Sequence, residues 1–94
     1  MIRGDDLKIP ITKSARKFGY IIWNKRTDPD IKKILGELET VNVYFNGLFL
    51  GRKKVDRTYF RISLGYKFTR ALPLEASYYI LNLEDNDSLR VEWI

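Results

Sequence analysis

The chain contains no cysteine, no histidine and no glutamine among its 94 residues. Without cysteine, neither a disulfide nor thiolate chemistry is available. Without histidine, the usual metal ligand and the usual general base near neutral pH are both missing. No serine lies in the Gly-x-Ser-x-Gly context of a nucleophile elbow. We therefore expect a protein that is not an enzyme and that uses neither a metal nor a cofactor.

Long apolar runs and a signal sequence are missing as well. The longest apolar stretches are four or five residues, whereas a helix needs ~20 to span a bilayer. The N-terminus lacks the basic, apolar and small-residue order of a signal peptide. These features predict a cytoplasmic protein that has no membrane contact. The many charged and few labile side chains favour a thermophilic source.

What is present is an apolar and distinctly basic composition. Hydrophobic residues make up 45% of the chain and aromatic residues 14%, which predicts one small folded domain over residues 1–94. The net charge is +5 and the pI is about 9.6. Residues 1–54 carry 12 basic and 6 acidic side chains, and residues 55–94 carry 5 and 6. Such a balance is typical of a polyanion binder, or else of a solvated thermophilic surface.

A short helix with recognisable ends follows the strand-like residues 20–23. Asp28 is a good N-cap and Pro29 suits the first helical position. Ile31 and Leu35 fall on one face, and Gly36 is typical of a helix C-terminus. The spacing predicts a helix that ends at Gly36.

The order of strand, short helix and hairpin then occurs a second time. Residues 41–45 alternate with a period of two, and Asn46-Gly47 is a strong hairpin signal. The second half offers in turn a strand (58–64), a short helical segment ended by Pro73, and two strands around the turn at residues 84–87. The fold class we expect is β-rich α+β. It is a small barrel made of two repeats, about residues 8–50 and 54–94.

Three segments resemble the SpoVT/AbrB-like swapped-hairpin DNA-binding domain. They are "ITKSARKFGYIIW", "DIKKILG" and "RISLGYKFTRALPLEASYYILNLEDNDSLRVEW". The resemblance covers nearly the whole chain as two copies, the arrangement of MraZ-like proteins, and implies a swapped-hairpin pseudo-dimer within one chain. Since the family includes archaeal regulators, it also favours an archaeal source.

The resemblance further implies that basic residues of the first-strand loop and the short helix bind DNA. Carried over by position, and with the adjacent basic residue included, the expected nucleic-acid-binding residues are Lys13, Arg16, Lys17, Lys25, Arg26, Lys32, Lys33, Lys67 and Arg70.

The residues themselves support this expectation without any family. The stretch from Lys13 to Lys33 holds seven basic residues and two acidic ones. Lysines can neutralise phosphates, while Arg16, Arg26 and Arg70 are candidates for bidentate contacts to base edges. The alternative is a solvated charged surface that resists aggregation. We expect a protein that binds double-stranded DNA, either a transcriptional regulator or a nucleoid-associated protein.

Two other functions stay open at this point. One is a protein-interaction module, such as an antitoxin-like protein or an assembly subunit, whose exposed strands pair with a partner; a homodimer is also open. The other is a small β-barrel that binds RNA or single-stranded DNA by base stacking. The aromatic residues available for stacking, which are more typical of a core, are Trp23, Tyr44, Tyr59, Tyr66 and Trp93.

Overall fold

A computed structural model describes residues 6–94, which form seven strands and three helices. The strands are β1 (Leu7–Pro10), β2 (Tyr20–Ile22), β3 (Thr40–Phe45), β4 (Leu48–Lys54), β5 (Arg61–Ser63), β6 (Tyr78–Glu84) and β7 (Ser88–Trp93). The helices are α1 (Lys13–Phe18), α2 (Asp28–Leu35) and α3 (Tyr66–Arg70). Residues 1–5 of the expected domain lie outside the described residues. No helix in residues 6–94 has the length and apolar character needed to cross a membrane.

Five strands form a mixed sheet and the other two form a separate ribbon. The sheet order is β1-β6-β7-β3-β4, and β3 and β7 are its one parallel pair in residues 6–94. Strands β2 and β5 pair antiparallel as the ribbon. The β3–β4 turn has positive φ at Asn46 (49°) and Gly47 (85°), as a type I′ turn requires. The expected Asn-Gly hairpin is therefore confirmed.

Helix α2 covers part of the sheet and packs against β1 and β6. Its buried side chains are Ile31 and Leu35, the face expected from their spacing. The helix begins one residue earlier than expected, since Thr27 rather than Asp28 is the N-cap. The Asp28 carboxylate instead accepts a hydrogen bond from Trp23 Nε1 (3.3 Å) and pairs with Lys32 Nζ (3.0 Å).

The core lies between the sheet, α2 and the ribbon. Both ribbon strands contribute one fully buried side chain, Ile21 and Ile62. The Cα radius of gyration is 12.0 Å, close to the ~12 Å of a compact domain of this length. The largest fully buried side chains include Tyr79, Ile9, Leu64, Leu81, Leu89, Val41, Val43 and Val91.

The expected barrel is wrong, because the strands described in residues 6–94 do not close on themselves. At one end, the six-residue helix α1 stands between β1 and β2 and prevents them from forming one continuous strand. At the other end, a single bridge between Asp56 and Arg61 connects the chain after β4 to β5. The molecule is a compact α+β fold with an open mixed sheet.

The pairing of the two halves is only partly symmetric. Strands β2 and β5, which precede the hairpins of the two halves, pair antiparallel, as a two-fold relation would place them. The hairpins instead meet through β3 and β7, the first strand of one and the last strand of the other. The swapped-hairpin arrangement therefore stays a prediction.

Candidate nucleic-acid interface

The basic stretch that separates β1 from β2 is a helix rather than the loop expected from the sequence. Thr12 caps α1, and its Oγ1 accepts a hydrogen bond from the Ala15 amide (3.1 Å). Gly19 ends the helix at φ 79° and donates its amide proton to the Ala15 carbonyl (3.0 Å). Ala15 is fully buried and marks the inner face of α1. Lys13 and Lys17, each two residues away along the helix, lie on the outer side and are exposed.

Helix α3 packs directly against α1. Antiparallel pairing of β2 with β5 places the C-terminus of α1 beside the N-terminus of α3, since Tyr20 lies opposite Ser63. The Gly19 carbonyl accepts hydrogen bonds from the amides of Leu64 (2.7 Å) and Gly65 (3.0 Å). A methyl group at Gly19 would lie 2.3 Å from the Tyr66 amide nitrogen. Only glycine allows this approach.

A buried hydroxyl fastens the second helix to the first. Thr69 of α3 is fully buried, and its Oγ1 donates to the Arg16 carbonyl of α1 (2.7 Å). The same Oγ1 lies 3.3 Å from the Tyr66 carbonyl oxygen, to which it can also donate. Because buried polar groups need partners, this contact fixes the spacing of α1 and α3, which then act as one structural unit.

Apart from Ser14, the exposed side chains of α1 and α3 are basic or aromatic, and we call these basic and aromatic side chains the helix-pair surface. Its exposed aromatic rings are Phe18 (58% exposed), Tyr66 (52%) and Phe68 (37%). Two of its cations lie over these rings: Lys17 Nζ is 5.3 Å from the Phe18 ring, and the Arg70 guanidinium is 5.0 Å from the Tyr66 ring. The complete set is Lys13, Lys17, Phe18, Tyr66, Lys67, Phe68 and Arg70.

The segments that build this surface contain no acidic residue. Residues 7–27 carry β1, α1 and β2, residues 57–74 carry β5 and α3, and neither segment has an Asp or Glu. The positive charge of α1 and α3 is thus not offset by carboxylates within either segment. Such a field attracts polyanions.

Arg16 lies in α1, but its guanidinium is committed to the protein itself. It donates to the carbonyl oxygens of Leu72 (2.8 Å), Pro73 (3.0 Å) and Ala76 (3.3 Å). The side chain is half-buried. Two of its nitrogens bind the loop after α3, which leaves Arg16 poorly placed for the predicted bidentate contacts to base edges.

The remaining predicted residues belong to a second group around α2. Lys25 and Arg26 are exposed in the turn before this helix, where the Asn24 side chain accepts from the Arg26 amide (2.9 Å). Lys32 pairs with Asp28 at 3.0 Å, and this hydrogen bond is the main cause that lowers the pKa of Asp28. Helix α2 packs against β1 and β6, and α1 against α3 and β2, so four of the nine predicted residues belong to α2 and the turn before it and the other five to α1 and α3. Lys33 is exposed on α2.

Sequence reasoning considered Tyr59 for stacking but did not foresee its contact with Arg61 beside the ribbon. The Arg61 guanidinium lies 4.6 Å from the Tyr20 ring and 5.0 Å from the Tyr59 ring. Its Nε is also 3.8 Å from a carboxylate oxygen of Asp56. Tyr59 is 66% exposed. The alternation of Tyr59 with Arg61 was the available signal.

Of the aromatic residues considered for stacking, two belong to the core. Trp23 is 5% exposed, and Trp93 is partly buried against the core cluster. Tyr44 of β3 lies opposite Phe49 of β4, and their ring centroids are 5.0 Å apart. The interpretation of these rings as core residues or cross-strand pairs is therefore confirmed for the tryptophans and for Tyr44, and it is wrong for Tyr59 and Tyr66, which are exposed.

Comparison with protein-family models, with curated proteins and with solved structures finds no match for this chain. In residues 6–94, no group of three acidic side chains is arranged to hold a metal ion. The functional interpretation therefore depends on the geometry and charge of the helix-pair surface.

Proposed function

We propose that this chain is a nucleic-acid-binding protein and that its helix-pair surface contacts the phosphate backbone. The observation that carries the proposal is the set of exposed cations on two joined helices whose segments contain no acidic residue. Duplex DNA is the target that the sequence resemblance implies, and a role as a regulator or nucleoid-associated protein would follow from it.

The cations are suited to phosphate contacts because they are exposed and anchored on short rigid elements. Lys13, Lys17 and Lys67 are point charges that bind phosphates without reading sequence,. Arg70 is the one arginine of the pair of helices that is both exposed and free to fork toward a phosphate while it lies over Tyr66. With four such contacts on duplex DNA, the logarithm of the binding constant should fall with the logarithm of the salt concentration with a slope of about −3.6. We call this the salt slope.

A pair of matched double variants tests the proposal. Lys17→Ala with Lys67→Ala removes two charges from the helix-pair surface, and Lys8→Ala with Lys54→Ala removes two from β1 and β4. Binding to labelled polynucleotides is measured by fluorescence anisotropy over a series of salt concentrations. The magnitude of the salt slope should fall by about 2 for the first variant only. A slope that both variants change equally would contradict the proposed location. No binding to any polynucleotide at low salt would contradict the proposed function.

A protein-interaction module is the second candidate, and strand β4 favours it. β4 is the last strand of the sheet order, and it exposes Leu48 (54%) and Phe49 (53%). Unpaired edge strands can accept an added strand from a partner. Arg52 and Lys54, further along β4, suit an acidic extended segment. A labelled peptide of alternating Val and Glu should bind, and Phe49→Glu should weaken its binding; a peptide that fails to bind would contradict this candidate.

A further inference from the structure

We propose that the nucleic acid bound by the helix-pair surface is a single-stranded polynucleotide, whose bases stack on Phe18 and Tyr66. The inference depends on the proposed function and specifies its ligand. Proteins that bind single strands combine a positively charged surface with exposed aromatic rings, because every base offers a flat face for stacking.

The first support is the concentration of exposed rings on very short helices. Scattered surface apolar groups are ordinary, but here three rings protrude from helices of six and five residues. Phe18 is the last residue of α1 and Tyr66 the first of α3. The contact of Gly19 with Gly65 places their backbones side by side.

The second support is that each ring has its own cation. Lys17 lies over Phe18 and Arg70 over Tyr66, at 5.3 and 5.0 Å. A base that stacks on either ring brings its phosphate close to a positive charge. The same combination continues on the ribbon, where Arg61 lies between two tyrosine rings.

The third support comes from what a duplex would require. Bases inside a duplex have no free faces, so sequence-specific recognition of a duplex needs an element that reaches base edges in a groove. Helix α1 is only about 9 Å long at 1.5 Å per residue. Its arginine, Arg16, donates to the carbonyl oxygens of Leu72, Pro73 and Ala76. The surface therefore offers stacking and charge rather than groove reading.

Three labelled ligands test the inference by fluorescence anisotropy: oligo(dT), oligo(U) and a hairpin duplex. The two oligomers have about 15 nucleotides and the hairpin has about 15 base pairs. The oligomers should both bind more tightly than the duplex, and similarly to each other, because stacking does not read the 2′-hydroxyl. Equal or tighter binding of the duplex would overturn the inference and leave the proposed function standing. Failure of all three ligands to bind would instead overturn the proposed function.

Ring substitutions identify the stacking residues. Phe18→Ala and Tyr66→Ala should each lower the affinity for oligo(dT) by about 5- to 150-fold, the effect of losing one stacked base. The salt slope should stay unchanged, because all four cations remain. Phe49→Ala, at a ring of similar exposure on β4, is the matched control and should change nothing. Ring variants with unchanged affinity would overturn the inference.

Stacking also has a spectroscopic signature that does not depend on affinity. An oligo(dT) with one 2-aminopurine should change its fluorescence when it is saturated with protein, and the change should be smaller with Tyr66→Ala than with Tyr66→Phe, which keeps the ring. If Phe18→Ala did not fold, Phe18→Leu keeps the apolar bulk and removes only the ring. An identical signal with Tyr66→Ala and Tyr66→Phe would contradict the inference.

Discussion

The Arg16 guanidinium donates a hydrogen bond to the Leu72 carbonyl at 2.8 Å, across 56 residues of sequence. The same group also binds Pro73 (3.0 Å) and Ala76 (3.3 Å). These bonds connect α1 with the loop that leads from α3 into β6. Arg16 thus holds the helix pair against the main sheet.

We expect Arg16→Lys to destabilise the fold while it preserves the charge. An ammonium group cannot span the three carbonyl oxygens, so hydrogen bonds to a charged donor are lost, at a cost of ~2 kcal/mol. Chemical denaturation measures this free energy of unfolding. Lys17→Ala, an exposed neighbour on the same helix, should change it by less than ~0.5 kcal/mol. If Arg16→Lys unfolded like the wild type but bound nucleic acid more weakly, Arg16 would have to contact the ligand.

The buried hydroxyl of Thr69 makes a separate prediction. Thr69→Val keeps the shape but leaves the Arg16 carbonyl, 2.7 Å away, without this donor. We expect a loss of ~1–2 kcal/mol in the free energy of unfolding. Thr69→Ser retains the hydroxyl and should lose less than the valine variant. Equal stability of the valine variant and the wild type would show that the hydroxyl does not hold the two helices together.

Much of the fold could be predicted from local signals. The α2 face, the Asn46-Gly47 turn and the last strand, with Leu89 and Val91 buried, all follow from short-range pattern. The barrel could not be excluded in this way, because closure depends on which strands pair across the molecule. Strand β5 is shorter than the predicted 58–64. Asp56 accepts hydrogen bonds from the Thr58 and Tyr59 amides, and this turn delays the strand to Arg61.

The basic residues were easier to find than the surface they form. Counting charges identified Lys13, Lys17 and Lys67, but it could not tell an exposed cation from Arg16, whose partners are distant in sequence. Phe18 was missed because this stretch was expected to be a loop, so its position at the end of a helix was not foreseen. In the structure α1 ends at Phe18, and its ring is 58% exposed.

Gly19→Ala should be one of the most damaging small substitutions. A Cβ there would lie 2.3 Å from the Tyr66 amide nitrogen, and φ is 79°. The left-handed conformation costs ~1–2 kcal/mol for alanine, and the clash between α1 and α3 adds ~1–3 kcal/mol.

Gly47→Ala is the matched control for this substitution. Gly47 has a similar φ of 85°, but a Cβ there would meet nothing within 4 Å. It should therefore show only the conformational cost of ~1–2 kcal/mol. The difference between the two variants, measured by thermal and chemical unfolding, isolates the contact between α1 and α3. Equal losses would indicate that the two helices can separate without cost.

The buried Tyr79 hydroxyl predicts a loss of stability in alkali. Tyr79 is fully buried, its hydroxyl has no hydrogen-bond partner among residues 6–94, and burial raises its pKa to about 12. An unfolded tyrosine ionises near pH 10. The folded state therefore keeps its proton between pH 10 and 12 while the unfolded state loses it, so stability is full below pH 10 and falls as the pH rises to 12.

Tyr79→Phe isolates this effect from the other tyrosines. The variant lacks the ionisable hydroxyl, so its unfolding free energy should fall less than that of the wild type between pH 10 and 12, by up to ~2–3 kcal/mol. At pH 7 it should be as stable as the wild type or more stable, because the lost hydroxyl is buried with no hydrogen-bond partner in residues 6–94. Urea denaturation at several pH values measures both. Parallel pH profiles for the two proteins would show that Tyr79 ionises as freely in the folded state as in the unfolded chain.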